Sequence, residues 1–167
     1  MNAAVTALLP AACLGLSLLA AGCEPEQPNP LEVMPQGDVQ VGQHRFRVWV
    51  ADDDQERERG LMQVSAEQME PLADGTERGM LFVFPTAQSR RHGFWMKNTI
   101  IPLDIAFIRT DGTIVTIHTM APLDTRAYYP SGPYRYTLEV RGNLFSRLRI
   151  GSGDRVEIPD SLLKGAR

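Results

Sequence analysis

Beyond residue 23 the chain has no cysteine, since its two stand at Cys13 and Cys23. A domain built from the later residues therefore has no disulfide, no thiolate-ligated zinc and no cysteine nucleophile. Also missing are a Gly-x-Ser-x-Gly elbow, a phosphate-cradling glycine loop followed by Lys-Ser/Thr, and His-Glu-x-x-His. The strong signatures of serine hydrolases, nucleotide-binding enzymes and zinc peptidases are thus absent. A net charge of -3, spread over mixed signs, gives no electrostatic footprint for nucleic acid. The apolar run at the amino end is too short to cross a bilayer and contains Pro10.

That run, residues 1–22, carries no charged side chain and ends Leu18-Leu19-Ala20-Ala21-Gly22-Cys23. A short apolar stretch closed by small residues reads as an export signal, and small residues directly before a cysteine resemble the lipoprotein signals of bacteria. Cys23 is then expected to become the lipid-modified first residue of an envelope protein held at a membrane. Residues 23–38, rich in proline, read as a semi-extended tether. Roughly 130 residues remain, enough for one hydrophobic core. The expectation is a single domain over 39–160, followed by a tail at 161–167.

Phe46, Val48 and Val50 alternate with Arg45, Arg47 and Trp49, the period of a strand with one wet face. Asp52-Asp53-Asp54 lacks the glycine and distal glutamate of a calcium loop. Asp53 or Asp54 instead caps a helix of about two turns that ends at Gly60. Gly79 to Phe84 is continuously apolar and reads as a strand buried on both faces. Pro102 splits the next run into two expected strands, Phe94 to Lys97 and Asp104 to Arg109. Asp111-Gly112, between Asp104 to Arg109 and Thr113 to His118, is a strong hairpin signal. Pro122 to Pro133 is a tyrosine-bearing loop. A half-exposed strand around Tyr136, Leu138 and Val140 follows, then a short helix near Leu144 and a last strand at Arg155 to Ile158. The fold class expected is mainly β: a small, closed or half-closed antiparallel barrel with one or two short helices.

Several blocks together carry a resemblance: Arg59-Gly60-Leu61-Met62, Gly79-Met80-Leu81-Phe82-Val83-Phe84, Phe94-Trp95-Met96-Lys97-Asn98-Thr99, Pro102-Leu103-Asp104-Ile105-Ala106-Phe107, Asp111-Gly112, Leu138-Glu139-Val140 and Gly153-Asp154. In this order they resemble the prokaryotic family catalogued as domain of unknown function 192. The resemblance implies a compact, mostly β domain, often exported, with no established reaction and no catalytic roles to carry over.

Chemistry is concentrated in Phe94 to Phe107, where Lys97, Asn98 and Asp104 stand among large apolar residues and must find partners if desolvated. If Arg59, Trp95, Lys97, Asn98, Asp104 and Glu139 converge, they form a polar floor in an apolar mouth, suited to a small ligand. Glu139 on an alternating strand can equally face water, and Arg59 can equally serve the carbonyls ending a helix. An acid-base pair of Asp104 and Lys97 is the enzymatic alternative, a small hydrolase or lyase. Bare Lys-Asp pairs are more often structural, so the expectation is a non-catalytic module that binds a small ligand or an envelope protein, without cofactor or metal. Met62, Met69, Met80, Met96 and Met120 with His92 and His118 offer soft ligands for copper, but at spacings that form no cluster.

Overall fold

The computed structural model describes residues 29–165. The export segment, Cys23 and the first residues of the tether lie outside them. Seven strands form one sheet: β1 (Gln36–Val41), β2 (His44–Ala51), β3 (Glu77–Gln88), β4 (Leu103–Ile108), β5 (Ile114–Met120), β6 (Tyr134–Arg141) and β7 (Val156–Glu157). Two short helices, α1 (Asp54–Arg59) and α2 (Leu144–Leu148), accompany them. The strand order is β5-β4-β6-β3-β2-β1-β7. Every neighbouring pair is antiparallel except β2 with β3, which a crossover through α1 makes parallel. The sheet curls until its outer strands meet: Thr113 bridges Arg155, and the Val156 amide donates to the Gly112 carbonyl at 2.9 Å. The result is the half-closed barrel expected from the spacing of strands and turns.

Alternation divides the core in two. On the concave face Val39, Val41, Phe46, Val48, Leu81, Val83, Ala106, Leu138 and Val140 pack together, and α2 closes this interior with Leu144 and Phe145. On the convex face Trp49, Met80, Phe82, Leu103, Ile105 and Phe107 are covered by Leu61, Val64, Met69, Met96 and Ile101. A sheet wet on one side would leave β6 half exposed. Here residues 60–64 and 94–101 lie over the convex face, so β6 is buried on both sides. Trp49, expected to be accessible, is buried for the same reason, with the Arg78 guanidinium 5.3 Å from its ring.

Two further expectations change. Phe94 to Lys97 is not a strand: a single bridge joins Phe94 to Tyr128, and Asn98 turns the chain with φ 56°. Phe94 and Met96 do point into the convex core, which explains the alternation, but their backbone bonds to the 124–128 loop instead of to the sheet. The tether also ends earlier than residue 38. The Asn29 side-chain amide donates to the Gly60 and Met62 carbonyls at 2.7 and 3.0 Å, Leu31 and Met34 are buried, and β1 starts at Gln36. Frequent proline concealed the apolar side chains that fasten this stretch to the domain.

At α1 the choice between Asp53 and Asp54 resolves to Asp53. Its carboxylate accepts from the Glu56 amide at 2.8 Å, while Glu56 reaches back to the Asp53 amide, a capping box. Gly60 ends the helix at φ 49° and ψ -132°, a conformation for glycine alone. The hairpin between β4 and β5 turns through Gly112 at φ 87°, and a Cβ there would lie 2.6 Å from the Val156 carbonyl oxygen. Gly112→Ala is expected to cost at least about 2 kcal/mol in chemical denaturation, since it strains the turn and separates the two meeting strands.

Candidate functional site

The six residues expected to converge do not form one floor. Asp104 lies on the concave face of β4, with 1% exposure. It accepts from the Thr119 hydroxyl at 2.7 Å, the Asn143 amide at 2.9 Å and the Phe145 amide at 3.0 Å. The carboxylate thereby fastens the first turn of α2 to β4 and β5, satisfying amide donors that a helix start leaves without partners. Lys97 is exposed, with its ammonium 5.4 Å from the ring of the half-exposed Trp95. No ion pair joins Lys97 to Asp104 among the described residues. The acid-base pair is therefore corrected: residues seven apart in sequence serve different faces of the sheet, and Asp104 borders none of the surface clefts described below.

Two adjoining clefts take up the other five residues. The larger, about 590 Å³, lies between residues 29–34 and α1 and is bordered by Arg59, Lys97 and Asn98. The smaller, about 280 Å³, opens between the end of α1 and the Phe94-Trp95 segment. Arg59 borders both, and Trp95 and Glu139 belong to the smaller one. The backbone of Asn98 holds the partition, since its carbonyl accepts from the Gln63 amide at 2.9 Å.

Glu139 gives the smaller cleft its chemistry. It sits in the middle of β6, opposite Met80 of β3 on one side and Ile105 of β4 on the other, with 4% exposure. Among the described residues its carboxyl group has no hydrogen-bond or ion-pair partner. Burial disfavours the charged form and pushes its pKa up to about 8, so at neutral pH the group is mostly a carboxylic acid. The Thr137 hydroxyl, two residues earlier on the same face, is buried and has no hydrogen-bond partner among the described residues. Unmade polar contacts in an apolar setting cost free energy, which a ligand that supplies the missing partner recovers.

The walls are rigid and aromatic. Phe94 stands edge-on to Phe82 at 5.2 Å and to Phe107 at 5.6 Å, and Tyr134 stands edge-on to Phe84 at 5.5 Å and to Phe107 at 5.0 Å. Tyr134 donates its hydroxyl to the His92 carbonyl at 3.2 Å, and its burial raises the phenol's pKa. Arg57 stacks on Phe84 at 5.5 Å and donates to the Val83 carbonyl at 2.9 Å. Phe94 and Tyr134 were not foreseen as site residues. Their signal was present only as ordinary apolar composition, which does not distinguish a cleft wall from a core.

The methionines give no soft-metal cluster. Met69, Met80, Met96 and Met120 are buried core residues of the convex face, and the rings of His92 and His118 bond to the Gln88 side chain and the Tyr129 carbonyl. No group of three or more His, Cys, Asp or Glu is placed for a metal ion among the described residues.

A curled single-sheet domain, its convex face roofed by loops with the buried Glu139 carboxyl in the cleft beneath them, defines a small, mainly β class of protein. The sequence model of domain of unknown function 192 (DUF192), described as an uncharacterized ACR, matches residues 37–158, and the chain belongs to this family. Two solved structures are similar. One is a protein of Sinorhizobium meliloti 1021 with a provisional transcription-regulator name, 36% identical at a TM-score of 0.66, covering 74% of this chain and 94% of that one. The other is a protein of unknown function from Novosphingobium aromaticivorans DSM 12444, 32% identical at a TM-score of 0.67, covering 86% and 100% respectively. No curated protein matches this chain.

Proposed function

We propose that this chain is an exported lipoprotein of the cell envelope, anchored at Cys23, whose domain is a non-catalytic module binding a small ligand in the Glu139 cleft. The observation that carries this reading is the Glu139 carboxyl group, buried in mid-sheet without a partner among the described residues and bordering a cleft. A volume of about 280 Å³ lies at the lower end of ligand pockets, so the occupant is small. An apolar body packs against Phe82, Phe94 and Tyr134 where they line the cleft, and a hydroxyl or amine completes the hydrogen bonding of Glu139. The small ligand is favoured over an envelope protein because the polar group lies beneath the loops. The net charge of -3 gives no reason to carry over the regulatory name of the Sinorhizobium protein.

The test is thermal unfolding of the chain from residue 24 onward against panels of amines, sugars, peptidoglycan fragments, small anions and metals. A true ligand at about 100 times its Kd stabilises the native state by about 2.7 kcal/mol. The shift is expected to disappear in Glu139→Leu. A shift retained undiminished in that variant places the site elsewhere.

A second reading rests on the same carboxyl group. With a pKa near 8 in a cleft, Glu139 is suited to donate a proton to a bound substrate, which moves the hydrolase or lyase reading away from Asp104 and Lys97. Turnover of a stabilising compound by the parent, absent in Glu139→Gln with binding retained, would favour this reading over a pure binding module.

A further inference from the structure

The exposed large apolar side chains of the described residues are Val33, Trp95, Ile100, Leu123 and Tyr129. They fall in neighbouring loops and not around the whole surface. Val33 and Lys97 border the same 590 Å³ cleft, the Leu123 amide donates to the Thr99 carbonyl at 2.9 Å, and the Met96 amide donates to the Asp124 carbonyl at 2.8 Å. Tyr129 lies over Gly93, where its ring would be 2.9 Å from an added Cβ. Trp95 is overlain by the Lys97 ammonium, and Arg90 and Arg91 are exposed nearby in sequence. Half-exposed Trp and Tyr beside aliphatic side chains and cations suit the interfacial layer of a bilayer.

The tether points to the same surface. Asn29 is fixed to the Gly60 and Met62 carbonyls at the border of both clefts, and only six positions separate it from Cys23. Fully extended, six residues reach about 20 Å. A lipid on Cys23 therefore holds this side of the domain within about 20 Å of the membrane, whereas a spacer running to residue 38 would have let the domain turn freely.

We propose that the face formed by Trp95, Ile100, Leu123, Tyr129, Val33 and Lys97 docks onto the lipid surface that holds the anchor. The inference rests on the lipid-anchor reading of Cys23. In the docked state Trp95 and Ile100 enter the headgroup layer, Lys97 meets anionic phosphates, and the mouth of the Glu139 cleft, bordered by Trp95, opens toward the lipid.

The chain has two tryptophans, Trp49 in the core and Trp95 at this surface, so fluorescence can read the contact. The full-length protein, purified after export and processing, is reconstituted in phosphatidylcholine and phosphatidylglycerol vesicles, with or without lipids brominated high in the acyl chain. The expected result is quenching by the brominated lipid and poor access of aqueous iodide. The bromine effect should vanish in Trp95→Phe and fall at least twofold in Ile100→Ser combined with Leu123→Ser, with the unfolding midpoint retained. Mass spectrometry of the amino-terminal peptide separates the two failures. An acylated Cys23 with Trp95 still open to iodide and untouched by bromine overturns the docking alone, whereas an unmodified Cys23 overturns the anchor and the docking together.

Discussion

Asp104→Ala is expected to lower the unfolding free energy by about 4 kcal/mol, one of the largest losses available to a single substitution in this domain. The carboxylate accepts three hydrogen bonds, from the Thr119 hydroxyl and the Asn143 and Phe145 amides, and its removal strands donors at the start of α2 where water has little access. Asp104→Asn keeps the shape but turns amide protons toward amide donors, and should lose about 2 kcal/mol. Lys97→Ala, by contrast, should move stability by less than about 0.5 kcal/mol, because Lys97 is exposed over Trp95. Urea denaturation of the three variants decides the matter. Equal losses for Asp104→Ala and Lys97→Ala would restore the ion pair that the geometry denies.

Glu139→Gln is expected to remove a pH dependence. In the folded state the Glu139 carboxyl group titrates near 8, above the ordinary 4.5 of the unfolded chain. The native state therefore holds a proton that the unfolded state releases between those values. The stability due to the neutral group is fully present below pH 4.5 and is lost as pH rises toward 8. Across that window the loss is on the order of 4 kcal/mol. Gln preserves the neutral shape without titrating, so the parent-minus-variant difference in stability should fall steadily from pH 4.5 to 8 and then level off. A flat difference would mean that Glu139 is ionised in the folded domain. Denaturant titrations at half-unit pH steps resolve the two outcomes.

Both residues show where the sequence was legible and where it was not. Strand alternation, the Asp111-Gly112 turn and the Asp53 cap are local, and each is written in residues a few positions apart. They suffice for a mainly β half-barrel. Alternation tells which residues share a face, but not what covers it. Glu139 and Trp49 could thus be assigned to faces, while their burial depended on loops from 60–64 and 94–101 crossing the convex side. Asp104 plainly needed a partner, yet the partner is a backbone amide pair some forty residues later, which no side-chain pattern announces. Phe94 to Lys97 mimics a strand because two of its side chains reach the core from a segment that never joins the sheet. The expected polar floor dissolved on the same point: Asp104 and Glu139 occupy adjacent strands, but their side chains leave the sheet in opposite directions.

The meeting of Gly112 to Ile114 with Gly153 to Val156 matters beyond the fold of one molecule. Proteins crowded on a two-dimensional surface encounter one another far more often than in solution, and unpaired strand backbone is then an invitation to polymerise. Here β7 is two residues long, and the outer side of β5 is partly occupied by Ser131, which bonds to Thr116 and Val115, and by the His118 contact to the Tyr129 carbonyl. The curl that brings the sheet's ends together thus leaves little backbone on which a neighbouring copy can add a strand, which would guard against aggregation at the surface density that the proposed lipid anchor implies.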